Sequence, residues 1–102
     1  MTMPTPRRSG RPALDAGKAL HIEIERVLAS SDPREGMRVL RLAARQLGSF
    51  VALGHLSTLE VMVDLLSASE VVGLDTQRAL ELITFEMRQV RLQAQRVQAS
   101  DG

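Results

Sequence analysis

The sequence predicts an all-α fold: a small bundle of about four helices with antiparallel neighbours behind a disordered basic N-terminal arm. Three observations predict it. Leu, Ala, Arg, Glu and Gln dominate, and all favour helix, while the only aromatic residues are Phe50 and Phe85. Apolar residues recur at alternating spacings of three and four along the chain. Capping residues and glycines divide those periodic segments at short intervals.

Residues 1–12 read as the arm. They hold three of the four prolines, with Arg7, Arg8 and Arg11 and no acid, and they lack apolar surface to bury. The run RRSGRP looks like an AT-hook core, in which an Arg-Gly-Arg-Pro tetrad lies in the minor groove of A·T-rich DNA. Here Ser9 stands in the first arginine's place. The other reading of the segment is a solvated basic tail.

The bundle domain is expected over residues 13–98, with a frayed tail at 99–102. A first helix is expected from about Asp15 to Ala29. Leu20, Ile24, Val27 and Leu28 form its apolar face, extended backward by Ala16 and Leu14. Ile22, Glu23, Glu25 and Arg26 fall outside that face.

The second helix has the best-marked start. Asp32 is the N-cap, Pro33 suits the first helical position, and Glu35 follows the cap by three residues. Met37, Leu40, Ala44, Leu47 and Val51 make its apolar stripe. Arg34, Arg38, Arg41 and Arg45 make a separate basic stripe on the same helix. Gly48 marks a candidate close helix crossing, and Gly54 stops the helix after about Leu53.

Ser57 and Glu60 open a third helix as a capping box. Its apolar residues include Leu59, Val61, Met62, Leu65, Leu66 and Val72, and Gly73-Leu74 closes it. Asp75 caps the last helix. There Leu80, Ile83, Met87, Val90, Ala94 and Val97 form a coiled-coil-like seam, longer than the rest of the bundle covers. Leu82, Phe85 and Leu92 lie on an adjacent strip. They either pack against the first helix or present a contact surface to a partner or a second copy of the chain.

Composition narrows the chemistry. With no cysteine, disulfides and thiolate metal sites are excluded. His21 and His55 stand apart, no nucleophile-base pair is suggested, and Lys18 is the only lysine, so no phosphate loop is present. The expectation is a non-enzymatic protein without cofactor or metal. No apolar run approaches the roughly 20 residues that span a bilayer, and residues 1–12 lack a signal peptide's apolar segment. A cytoplasmic, membrane-free location is therefore expected.

Net charge is +1, yet residues 13–102 carry 10 basic and 12 acidic side chains. Basic character is concentrated in the arm and in the stripe of the second helix. Four arginines on one face suit bidentate contact with phosphates or carboxylates. Glu35, one residue from Arg34, is not expected to neutralise the stripe. An acid from a neighbouring helix, Glu81 or Glu86, could do so and leave a solvated, internally paired face.

The stretch from Leu42 to Val90 resembles a helical module of plasmid and phage primase proteins. The matching positions are Leu47-Gly48, Gly54, Leu56, Gly73-Leu74, Ala79-Leu80 and Ile83. In that family the module accompanies a primase or helicase domain and is similar to bundles that help engage template DNA. The final helix of the module closes with a short Ser-Gly segment after the Ile, where this chain has Thr84-Phe85-Glu86. These 102 residues contain no primase catalytic domain. The resemblance implies an accessory role and carries no site residue.

The reading that results is a DNA-binding accessory protein of plasmid or phage type, in replication, transfer or gene control. Arg34, Arg38, Arg41 and Arg45 would contact phosphates and Arg7, Arg8 and Arg11 would act as the arm. The alternative is a protein–protein adaptor or inhibitor, docking an acidic partner on the arginine face or any partner on Leu82, Phe85 and Leu92. A homodimer through the last helix is a third arrangement.

Overall fold

The structure, a computed structural model, describes residues 5–101, with side-chain surroundings over 15–96. Four helices follow one another: α1 (Thr5–Leu28), α2 (Pro33–Ala52), α3 (Thr58–Val71) and α4 (Thr76–Asp101). No strand occurs among the described residues. The helix α1 begins earlier than the Asp15 start expected from the sequence, and α4 continues through residues expected to fray. Arg7, Arg8 and Arg11 lie outside the residues whose side chains are described.

The local signals act where the sequence places them. Asp32 accepts the Glu35 amide at 2.8 Å, Ser57 accepts the Glu60 amide at 3.1 Å, and Asp75 accepts the Arg78 amide at 2.9 Å. The first cap has one refinement. The Glu35 carboxylate reaches past Asp32 to accept the Ser31 amide at 2.7 Å and the Ser31 hydroxyl at 2.6 Å. Those hydrogen bonds, ahead of the attraction of Arg38, hold its pKa below the ordinary glutamate value.

A depressed carboxylate pKa contributes stability above the unfolded-state value, and that contribution is lost as pH falls through the folded value. Glu35→Gln should therefore lower the melting temperature at neutral pH, with the gap to wild type closing below about pH 4. Melting curves across pH check this, and parallel curves at every pH would refute it.

Both glycine stops are Schellman turns. Gly54 has φ 82° and Gly73 has φ 83°, the left-handed region that glycine enters without a side-chain clash. The His55 amide reaches Phe50 and the Gly54 amide reaches Val51. In the same pattern Leu74 reaches Ser69 and Gly73 reaches Glu70. Leu74 is then buried against the face of α2, where Gly36 leaves room for its methyl groups.

These turns reverse the chain twice, so α3 runs antiparallel to its sequence neighbours. Contacts between α2 and α4 advance in one direction: Gly36 meets Leu74, Arg45 meets Glu86, and Gly48 meets Val90. The two helices are therefore parallel and side by side. Among the described residues they share the most extensive interface, and α2 also touches α1 and α3. Leu40, Ala43, Ala44 and Leu47 of α2 are fully buried, together with Val27, Val61, Leu65, Ala79 and Ile83 of the other helices. Burying these side chains is the main favourable term holding the bundle together.

Gly48 sits at the crossing expected of it. A Cβ there would lie 3.4 Å from Val90 and 3.5 Å from the Met87 backbone, ordinary van der Waals distances. At Gly17, in α1, a Cβ would meet nothing within 4 Å. Both glycines are inside helices, where alanine is favoured by about 1 kcal/mol. Gly17→Ala and Gly48→Ala should each stabilise the fold by roughly 0.5–1 kcal/mol in urea unfolding. A destabilised Gly48→Ala would show that α2 and α4 are closer than these distances.

Three expectations about faces need correction. Glu23 is buried, not outside the α1 face, because it lies between Leu20 and Val27 on the same turn surface. Its carboxylate is held by Arg26 at 3.0 Å. Leu28 and Leu59, expected to be apolar-face residues, are exposed. Both sit at the margins of their helices' buried stripes. Leu80, the first residue of the expected α4 seam, is also exposed, whereas Ile83 and Met87 are buried.

Candidate anion-binding face

The helix α2 carries Arg34, Arg38, Arg41 and Arg45 along one exposed edge beside α4. The Asp32 cap and Pro33 set where the helix starts, and so set the rotation of everything after it. Burial of Leu40, Ala44 and Leu47 then fixes that rotation, leaving the arginines outward. Their side chains keep most of their surface in solvent: 73% for Arg38 and 60% each for Arg41 and Arg45. Arg34 is exposed and, among the described residues, has no ion-pair partner.

One buried carboxylate organises half of this face. Glu86 of α4 keeps only 6% of its side chain exposed. Its Oε1 accepts a hydrogen bond from Arg45 Nε at 3.2 Å, and its Oε2 lies 3.8 Å from Arg41 Nε. The acid that meets the stripe is thus Glu86, while Glu81 stays exposed. A buried carboxylate needs such partners, since an unpaired charge away from water is costly.

Glu35 also contributes, against expectation. It is too close to Arg34 in sequence to share a face with it, but Arg38 lies three residues on, and its Nη2 approaches Glu35 to 4.0 Å. That contact is long and open to solvent, so it holds Arg38 weakly. The stripe as a whole sets four guanidinium groups against two carboxylates, Glu35 and Glu86. Internal pairing leaves a positive excess rather than cancelling the face.

The α4 strip divides. Leu82 is half-buried and packs against the core, whereas Phe85 and Leu92 remain 57% and 44% exposed. They do not pack against α1, because α1 and α4 lie on opposite edges of the α2–α3 pair and do not touch among the described residues.

Other titratable groups do not converge. His21 is exposed and lies 3.8 Å from Glu25 one turn on, and His55 is exposed in the α2–α3 turn. No group of three His, Asp or Glu side chains that could hold a metal ion occurs among the described residues. No helix, among those residues, is long and apolar enough to cross a membrane.

The fold and this face define the class: a four-helix bundle with an exposed arginine edge. No family model matches the chain, and no curated protein or solved structure does.

Proposed function

We propose that this is a small non-enzymatic accessory protein that binds duplex DNA through phosphate contacts, of the plasmid or phage replication, transfer or gene-control type. The observation that carries the reading is the exposed edge of α2. Its four guanidinium groups face solvent from a rigid helix in the middle of the bundle. From Arg34 to Arg45 the helix rises about 16 Å at 1.5 Å per residue. Duplex DNA presents roughly ten phosphate charges over that length. Arginine suits them because its planar fork donates two parallel hydrogen bonds to one phosphate. Arg7, Arg8 and Arg11, near the start of the chain, supply further contacts.

The test is titration of duplex DNA with the full chain across a salt series. Four stripe contacts alone give log affinity against log salt a slope of about −3 to −4, and contacts from Arg7, Arg8 and Arg11 steepen it. Absence of binding to both duplex and single-stranded DNA at low salt would end this reading.

Exposure of Phe85 and Leu92 favours a second reading, an adaptor that docks a protein partner on α4. A partner that co-purifies with wild type and is lost on Phe85→Ser with Leu92→Ser would support it.

A further inference from the structure

We infer that Glu86 is a positioning residue for the anion-binding face, a buried carboxylate that aims Arg41 and Arg45 outward as a pair. This inference rests on the DNA reading above and goes beyond it by assigning a role to a residue of opposite charge. The two guanidinium groups come from successive turns of α2, yet both approach one carboxylate of α4 through Nε. Oε1 accepts a hydrogen bond from Arg45 and Oε2 faces Arg41 at ion-pair distance, so each oxygen faces a different arginine. With Nε turned inward, the Nη1 and Nη2 groups at the far end of each fork are left for an outside acceptor. A free arginine must give up rotamer entropy to bind a phosphate, and here part of that ordering exists before the ligand arrives. Because the acid and the bases sit on different helices, the pair exists only while α2 and α4 are packed together.

Simple charge counting makes the opposite prediction. Glu86 carries a negative charge beside the phosphate site, so its removal should strengthen binding. Glu86→Gln separates the two effects. It has nearly the same shape and can still accept from Arg45 Nε, but its amide group meets Arg41 as a second donor.

The experiment titrates one duplex DNA with wild type, Glu86→Gln, and the double variant Arg41→Gln with Arg45→Gln, at several salt concentrations. Circular dichroism checks that each remains folded. Positioning predicts that Glu86→Gln weakens binding roughly tenfold, as loss of an orienting outer partner does at metal sites. It also predicts a salt slope shallower by up to about two, the share of two contacts. Glu86→Gln that binds as tightly as wild type, or more tightly, overturns the inference. Undiminished binding by the double arginine variant overturns instead the assignment of these arginines to DNA.

Hydrogen exchange at the arginine Nε positions, followed by NMR in the free wild-type protein, gives a test that needs no variant. Positioning predicts slower exchange at Arg45 than at Arg34, which has no ion-pair partner among the described residues. Equal rates at the two sites overturn it.

Discussion

Replacing Arg34, Arg38, Arg41 and Arg45 together by glutamine should flatten the salt dependence of duplex binding by about 3 to 4 in slope. Each phosphate contact releases condensed counterions, so its loss is read in the slope rather than in affinity at a single salt concentration. Between 50 and 200 mM salt, the stripe's share amounts to roughly a hundredfold change in affinity.

The quadruple variant also removes both cationic partners of the buried Glu86, so it is less stable than wild type for reasons unrelated to DNA. Arg34→Gln with Arg38→Gln avoids this. Arg34 has no ion-pair partner among the described residues, and Arg38 makes only the long, solvent-exposed contact to Glu35. That double variant should flatten the slope by about two while its unfolding free energy stays within about 0.5 kcal/mol of wild type. An unchanged slope in a folded quadruple variant would remove α2 from any DNA interface.

Leu47→Ala should cost about 3–5 kcal/mol, a large share of the roughly 5–15 kcal/mol that holds a domain of this size. Leu47 is 0% exposed, and it belongs to α2, which packs against α1, α3 and α4. Truncation removes its transfer free energy and leaves a cavity that the surrounding core closes only in part. In urea the midpoint should fall at constant m, and the melting temperature should drop by more than about 10 °C. Leu53→Ala is the matched control. The same chemical change at a residue 70% exposed should move stability by no more than about 0.5 kcal/mol. Similar losses at the two sites would contradict the placement of the core.

The two predictions differ in how much of their basis is visible in the chain alone. The core position of Leu47 follows from its spacing with Leu40, Ala44 and Val51, which is a property of the helix itself. The helix boundaries are equally local. Asp32, Ser57 and Asp75 act within three residues of themselves, and Gly54 and Gly73 act within five. Such interactions need no distant partner, so a reader of the sequence can see them. Spacing also places four arginines on one edge of α2, but it does not reveal what lies beside that edge.

The sequence by itself determined that the chain makes helices, where α2 and α3 start and stop and where α4 starts, and which stripe of α2 turns inward. Capping bonds and helical periodicity act between near neighbours, and that is the physical reason. Only the tertiary structure decided which acid meets the arginines. Glu81 and Glu86 are both candidates in the sequence, and the packing of α4 alongside α2 buries Glu86 and leaves Glu81 in solvent. The same packing decided the fate of Phe85 and Leu92. Among the described residues α1 and α4 each pack against α2 and α3 but not against each other, so the two side chains stay exposed. Residues 41 positions apart, such as Arg45 and Glu86, meet only through the summed geometry of two turns and three helices. No local pattern encodes that sum.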